Sequence, residues 1–302
     1  MLLDNIALFL TIVEKGSLTA AGREVGLSPT SVSERLAALE AHYGVVLLNR
    51  TTRALSLTEE GRTLVDGARE LLNGVADLDT RIRHGAETLT GPIRLSAPSD
   101  TGRHLLSHAL SIFQDRHPGI RIELLLSDGY VDIVGEGVDL ALRLGAIMDS
   151  SLRVRALGDA RRLVCASPAY LATHGAPREP ADLRSRNCLV MRFGQNLDNQ
   201  WRFETPAGPQ IVTVQGDRVA NDGAMVRQWG LEGRGIVLKS ELDAADDIRR
   251  GRLIELLPDY AAAPVPVQLL FPPSRTRPHR VTALADHLIE TFALRQALPR
   301  QG

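Results

Sequence analysis

The tightest constraint on this chain lies in its first 44 residues, where glycines and small polar residues punctuate three short amphipathic runs. Ile6, Phe9, Leu10 and Val13 recur at helical spacing, which predicts a helix from about Leu3 to Lys15 ending at Gly16. Ser17 is placed to cap a second helix over Leu18 to Val25, whose Ala20, Ala21 and Gly22 leave room for a close helix crossing. Gly26 supplies the left-handed residue that stops it. Ser28 then stands at an N-cap position and Pro29 at the first helical position, where a missing N–H is tolerated. A third helix runs from there to about His42, with Val32, Leu36 and Leu39 on one face. Two helices joined by so short a glycine-containing turn make a helix-turn-helix.

With Val32, Leu36 and Leu39 buried, a step of about 100° per residue points Thr30, Glu34, Ala37 and Ala38 outward, flanked by Ser31 and Ser33. Short hydrogen-bonding side chains near the N-terminus suit a helix that meets base edges; the alternative is a plain solvated face. The next segment of the chain favours the first. Val45 to Leu48 leads into Asn49-Arg50-Thr51-Thr52-Arg53, and Leu55 and Leu57 then alternate with polar partners. That is a short β-hairpin, a wing, with two arginines at or near its tip. Both suit phosphate or narrow minor-groove contact. Bulk charge gives no help. The whole chain carries a formal −1, and residues 1–58 hold five basic against five acidic side chains. Any grip on DNA must therefore come from local placement.

Thr58 is placed to cap a long helix reaching about Ile82, with Glu59 and Glu60 in its first turn. Its apolar positions, Leu64, Ala68, Leu71, Val75, Leu78 and Ile82, alternate steps of four and three. That is the 3.5-residue period of a coiled coil. We read this seam as a dimerisation surface, with ordinary core packing as the alternative. Residues 83–91 are polar and end in a Gly91-Pro92 hinge.

Beyond Pro92 strands and helices alternate, which predicts an α/β region with a mixed sheet. Strands are expected at Ile93–Ser96, Ile120–Leu126, Val138–Leu144, Arg162–Ala166, Cys188–Phe193, Trp201–Glu204, Ile211–Val214, Gly235–Leu238 and Val265–Phe271. Helices are expected at Thr101–Arg116, Val131–Glu136, after Pro168, after Asn221-Asp222-Gly223, after Ser240 and at His279–Ala297. A ligand site belongs where strand ends and helix N-termini converge, and free N–H groups there favour an anion. Arg143 stands out as a charge set inside the apolar strand LALRLG. It can pair with a ligand carboxylate or with an acid such as Asp128 or Asp139.

The stretch from Phe9 to Gly61, FLTIVEKGSLTAAGREVGLSPTSVSERLAALEAHYGVVLLNRTTRALSLTEEG, resembles the N-terminal domain of the LysR-type transcriptional regulators nearly position by position. The segments VDLALRLG, RLVCASPAYLATHG, PADL, CLV and VLKSELDAADDIRRGRL resemble that family's C-terminal region. The resemblance implies an α/β multidomain chain. Residues 1–58 would form an all-α winged helix-turn-helix and residues 59–90 a linker and dimerisation helix. Residues 91–302 would form a two-lobed, periplasmic-binding-protein-like effector domain, with lobe I at 91–161 and 267–302 and lobe II at 162–266. It further implies DNA contacts from Ser28, Pro29, Thr30, Ser31, Ser33, Glu34 and Arg35 on the third helix, and from Arg50, Thr51 and Arg53 in the wing. Ser99, Thr101, Ser127, Arg143, Phe193 and Asn221 would line an effector pocket between the lobes. The implied partners are double-stranded operator DNA, a small carboxylate-bearing metabolite, and further copies of the chain as a dimer of dimers, a homotetramer.

Two residues depart from that pattern. Many relatives carry a basic or amide residue where this chain has Glu34, and a glutamate accepts from cytosine N4 but cannot grip guanine bidentately. Asp100 lies near the expected pocket and counts against a strongly anionic ligand.

Other classes have little support. No window approaches 18 consecutive apolar residues, and the N-terminus lacks the basic start of a secretory signal. Two cysteines, Cys165 and Cys188, are too few for a disulfide scaffold and lie in strand-like apolar runs. A cytoplasmic protein is expected. Of 35 basic residues only Lys15 and Lys239 are lysines, an arginine-rich usage that points to a bacterial source. His104 and His108 stand four apart but lack a third ligand at metal-site spacing. No dinucleotide fingerprint, nucleophile elbow or Walker motif occurs, so neither a cofactor nor an enzymatic activity is expected. The alternative reading is a solute-binding or enzymatic α/β domain whose N-terminal helices serve only assembly.

Overall fold

The computed structural model describes residues 2–50, 55–84, 88–145, 147, 151–260, 262–273 and 277–297. The chain divides into two compact units, Met1–Leu89 with Ser274–His279, and Thr90–Pro273 with Arg280–Gly302. The long helix thus belongs with the N-terminal unit.

In that unit α1 (Leu2–Lys15), α2 (Leu18–Val25) and α3 (Pro29–Tyr43) pack around Ile6, Phe9, Ile12, Ala21, Val32, Leu36 and Leu39. The caps work as their residue types predict. Ser17 Oγ accepts from the Ala20 N–H at 3.3 Å, and Gly26 closes α2 in the left-handed region at φ 69°. Gly22 is required for a different reason. A Cβ there would lie 2.7 Å from the Leu27 carbonyl oxygen, so only glycine permits this approach of the turn. A hairpin of β1 (Leu48–Arg50) and β2 (Leu55–Leu57) comes next, with Leu48 opposite Leu57.

The helix α4 (Glu59–His84) then begins on a polar clasp. Thr58 Oγ1 donates to the Val46 and Leu47 carbonyls at 2.8 and 3.1 Å and accepts from the Gly61 N–H at 2.9 Å. The seam predicted for this helix splits in two. Leu64 and Ala68 pack into the core of the N-terminal unit, whereas Leu71, Val75, Leu78 and Ile82 are exposed, Ile82 by 73%. The first two positions are therefore core residues, because the base of α4 lies against the helical bundle.

The second unit runs β3 (Thr90–Ala97), α5 (Ser99–Thr101), a π-helical turn (Gly102–Leu106), α6 (Ser107–Arg116), β4 (Gly119–Leu126), β5 (Leu140–Leu144) and β6 (Arg153–Ala166). It continues with α7 (Pro168–His174), a 3-10 turn (Pro180–Ser185), β7 (Val190–Phe193), β8 (Asn196–Leu197), β9 (Gln200–Thr205), β10 (Gly208–Thr213), β11 (Val219–Ala220) and α8 (Gly223–Leu231). Last come β12 (Val237–Ser240), α9 (Glu241–Arg249), β13 (Ile254–Leu256), β14 (Ala262–Phe271) and α10 (His279–Ala297). β3 pairs in parallel with β4 and β5. The strand β14 is central: β5 flanks its C-terminal end, β9 meets its first residue, and β6 runs antiparallel along its length. Past Arg162 β6 continues alone into pairing with β12 and β13. Two strands thus pass through both halves of the unit, and separate apolar cores form on either side, one around Val131, Ile133 and Leu270, the other around Trp201, Phe203 and Ile236. Among the described residues no helix is long and apolar enough to cross a membrane.

Three local expectations needed correction. Residues 133–137 form turns, not the predicted helix Val131–Glu136. Asp132 Oδ1 takes the Gly135 N–H at 2.8 Å, and Gly137 adopts φ 66°, which ends any helical path. The helix predicted at Thr101–Arg116 starts at Ser99 and widens into a π turn, beginning where Gly102 lies close against Leu126. The strand predicted at Arg162–Ala166 starts nine residues earlier, at Arg153. Arg153 to Asp159 are held by the ladder to β14 and not by any apolar alternation of their own.

Gly61 yields a test of the clasp. A Cβ at this position would stand 2.1 Å from the Leu47 carbonyl oxygen, which is backbone and cannot rotate aside. Gly61→Ala is expected to destabilise the N-terminal unit by about 1–3 kcal/mol, the usual range for overpacking. Denaturant melts followed by circular dichroism would check this.

Candidate functional site

The helix α3 is held by contacts that leave its outer face free. Ser28 Oγ accepts from the Ser31 N–H at 3.1 Å and lies 3.0 Å from Ser31 Oγ, so both serines serve the cap. Pro29, Thr30, Glu34 and Arg35 are exposed, and Ser33 is half-buried beside them. Glu40, on the same helix, is used structurally and takes the Leu47 N–H at 2.9 Å. In the wing, Arg50 closes β1, opposite Leu55. Thr51 and Arg53 lie outside the described residues. The outer face thus joins an exposed hydroxyl, a carboxylate and a guanidinium within six residues, on a helix whose Ser31 N–H is capped by Ser28.

The second unit contains a cavity of about 490 Å³. It lies beside the C-terminal ends of β4 and β5, which is where α/β sheets gather their ligands. Of the residues expected there, Thr101, Ser127, Arg143 and Phe193 line it. Ser99 and Asn221 are not among its lining residues. Ser99 is buried and gives its N–H to Asp128 at 3.0 Å, while Asn221 is exposed just before the Asp222 cap of α8. Both stand next to a helix N-terminus in sequence, which marks them as candidates without bringing them to the cavity surface.

Arg143 projects from β5, half-buried. Its Nη1 donates to the Leu142 carbonyl at 2.8 Å and its Nη2 to Ser96 Oγ at 2.7 Å. Burial lowers its pKa, opposed by the charges of Asp128 and Glu136, and an arginine stays protonated regardless. Neither acid weighed as its partner holds it. Asp128 receives the Ser99 and Gly223 N–H groups at 3.0 and 2.7 Å, and Asp139 receives the Arg94 N–H at 2.8 Å. No described carboxylate lies within ion-pair distance of Arg143.

A second cation in the wall, Lys239 on β12, is not among the residues the sequence singles out. Its Nζ lies 2.7 Å from Asp100 and 3.7 Å from Asp243, and it donates to the Gly223 carbonyl at 3.0 Å. Thr101 Oγ1 donates to Asp243 at 2.9 Å. All four side chains are buried. Burial alone would push the Lys239 pKa down, but Asp243 and Asp100 outweigh it and hold the ammonium above its usual range. Asp243 is pushed up, by burial first, against the pull of Lys239 and with the help of Asp100. Asp100 thus has a cation within ion-pair distance, one that it shares with Asp243. The sequence does hold one sign of it: a lone lysine in an apolar strand of a chain that otherwise uses arginine. Arg162 and Asp198, also in the wall, pair at 2.5 Å. His104 contacts Arg227 at 3.2 Å, and among the described residues no group of three or more candidate ligands could hold a metal ion. Cys165 and Cys188 are buried, and desolvation lifts each thiol to about 12.

One unit able to present a capped helix to DNA, joined to another enclosing a metabolite-sized cavity, is the architecture of a ligand-responsive regulator. Comparison with known proteins gives the family. Residues 3–62 match the bacterial regulatory helix-turn-helix protein, lysR family, and residues 86–293 match the LysR substrate binding domain. The chain is 34% identical to the HTH-type transcriptional regulator DmlR of Escherichia coli, over 86% of this chain and 84% of that one. It is 33% identical to the regulator CrgA of Neisseria meningitidis, over 95% of this chain and 96% of CrgA. The solved structure of CrgA, described as a LysR-type transcriptional regulator, superposes with a TM-score of 0.63, covering 96% of this chain and 98% of that one. This protein belongs to the LysR family of transcriptional regulators, with a helix-turn-helix DNA-binding domain and an effector-binding α/β domain; the family is one of regulators, not enzymes.

Lys239→Met would leave Asp100 and Asp243 buried without their cation. Breaking one side of a buried pair costs about 3–5 kcal/mol, and that loss is expected at neutral pH. Burial already raises the Asp243 pKa, and without the opposing ammonium the folded Asp243 binds a proton more readily still than in the unfolded chain, where an aspartate titrates near 3.8. The variant should therefore recover stability as pH falls from 7 towards 5. In the natural protein the Lys239 contribution is complete below pH 10.5 and fades only above it. Urea melts of both proteins across this range are the check.

Proposed function

We propose that the outer face of α3 reads operator DNA in the major groove while the second unit binds a carboxylate-bearing metabolite in the Arg143 cavity. Thr30, Ser33, Glu34 and Pro29 would face base edges. Ser28, Ser31 and Arg35 would sit beside the backbone, and Arg50, Thr51 and Arg53 of the wing would grip phosphates. The observation that carries the effector half is Arg143, a cation in the wall of a metabolite-sized cavity with no described carboxylate paired to it. Thr101, Ser127 and Phe193 are its companions there, and Ser99 holds the wall residue Asp128 through its N–H, while Asn221 would reach the ligand only if it turned in from the surface.

In this reading residues 1–58 are the DNA-binding domain, 59–90 the linker helix and 91–302 the effector domain. Its lobes divide at the crossing strands, lobe I comprising 91–161 and 267–302 and lobe II 162–266. The exposed stripe Leu71, Val75, Leu78 and Ile82 joins two chains, and two such dimers assemble into a cytoplasmic homotetramer that spans successive half-sites. Pairing doubles the few arginines applied to DNA, which offsets the neutral charge of the N-terminal unit. A monomer at micromolar concentration in light scattering would overturn the assembly.

The DNA half is tested on fragments upstream of the chain's own coding sequence. Arg53→Ala is expected to weaken binding on every sequence and to reduce the slope of log K against log salt by about one. Glu34→Gln is expected to change which bases are preferred, read as an altered profile against a randomised half-site library. An unchanged profile would remove Glu34 from the reading face.

A further inference from the structure

The charge arithmetic of the cavity narrows the effector further, and it rests on the proposal that the effector binds there. Three cationic side chains line the cavity among the described residues: Arg143, Arg162 and Lys239. Two are already matched. Lys239 lies between Asp100 and Asp243, and Arg162 is paired with Asp198 at 2.5 Å. Only Arg143 has no carboxylate partner, and two of its five donors are taken up by an oxygen of Leu142 and one of Ser96. Each of the four wall carboxylates has a neighbour, but not equally: Asp198 pairs with Arg162, Asp100 and Asp243 share the single Lys239, and both oxygens of Asp128 accept backbone N–H groups. The remaining surface is largely aliphatic, from Val131, Ile133, Leu152, Met191, Leu238 and Leu270.

We infer that the effector is a monocarboxylic acid with an uncharged, mainly apolar body, its carboxylate on Arg143 and its body against that aliphatic wall. A second carboxylate would find no unmatched cation and would face four aspartates. A ligand ammonium would have to compete with Lys239 for Asp100 and Asp243 or with Arg162 for Asp198, and elsewhere would lie on apolar surface. Either charge would be desolvated without a partner, the costly arrangement in a buried site. A neutral amide of the same shape would leave Arg143 uncompensated. The cavity therefore selects on charge count as well as on size. Its volume falls within the roughly 300–1,000 Å³ of small-molecule sites.

A matched six-carbon series tests this on the full-length protein by titration calorimetry and thermal shift: hexanoate, hexanamide, adipate and 6-aminohexanoate. Cyclohexanecarboxylate and its amide supply a bulkier body. Each monocarboxylate is expected to bind at least tenfold more tightly than its amide, and hexanoate at least tenfold more tightly than adipate or 6-aminohexanoate. Arg143→Gln should abolish the preference for acid over amide, its fold being checked by circular dichroism. If that variant fails to fold, the acid-against-amide comparison on the natural protein decides alone. Tighter or equal binding of adipate, 6-aminohexanoate or an amide would overturn the inference while leaving the effector reading standing. Silence from every probe at millimolar concentration would count against both.

Discussion

The pairing of β6 with β14 is the interaction on which the second unit depends. From Phe271 opposite Arg153 to Ala262 opposite Arg162, these two strands form one antiparallel ladder, interrupted by register shifts near Val265 and Val267. The other strands of the nine-stranded sheet attach to one end or the other. β5 and, through it, β3 and β4 join one end, while β9, β12 and β13 join the other. The cavity lies where these attachments part, and Val265 and Leu270 of β14 both reach its wall. A ladder interrupted at its middle gives up some hydrogen bonding there, and that is also where two halves sharing a backbone can change their angle at least cost.

Side-chain pairs reinforce the same junction. Lys239 and Asp243 come from the β12–α9 side and meet Asp100 and Thr101 at the start of α5, while Asp128 after β4 takes the Gly223 N–H at the start of α8. Arg227 of α8 contacts His104 and pairs with the buried Asp247 at 2.5 Å. Buried pairs of this kind add little net stability compared with apolar packing, but they penalise any arrangement that separates them. They specify one relative setting of the two sides, and they use up charge that would otherwise be offered to a ligand. The chemical selectivity argued for the cavity is thus a by-product of how its walls are held together.

Much of this is legible in the chain. The three N-terminal helices, their Ser17, Gly26 and Ser28 caps, and the Thr58 start of α4 come from local rules, because caps and helical periodicity depend on neighbours a few residues away. The resemblance over Phe9 to Gly61 gives their purpose. The second unit is harder. The first half of β6 has no apolar alternation, since its place is set by β14 more than a hundred residues later. The turn that starts at Asp132 does not extend into a helix because Gly137 takes a left-handed φ one turn later. Leu64 and Ala68 fit a coiled-coil seam equally well as a core face, and periodicity cannot tell these apart. Lys239 escapes notice because the significance of a buried lysine lies wholly in partners distant in sequence. Arg143 stands out in its strand, but its freedom from Asp128 and Asp139 is visible only once their own hydrogen bonds are known.

The split character of α4 has a geometric meaning. Its base, fixed by Leu64, Ala68 and the Thr58–Gly61 clasp, is part of the reading head, whereas its far half offers apolar side chains outward. At a rise of about 1.5 Å per residue, its 26 residues span about 39 Å, close to the 34–36 Å of one turn of duplex DNA. A helix welded to the head at one end acts as a ruler and a protractor at once. Rotating the far half by a single residue turns α3 by about 100°, without any flexible joint between to absorb the motion. If that stripe joins two chains as proposed, the heptad register along Leu71 to Ile82 would set the angle at which the head meets its groove, and a conservative slip of it would misaim a perfectly folded DNA-binding unit.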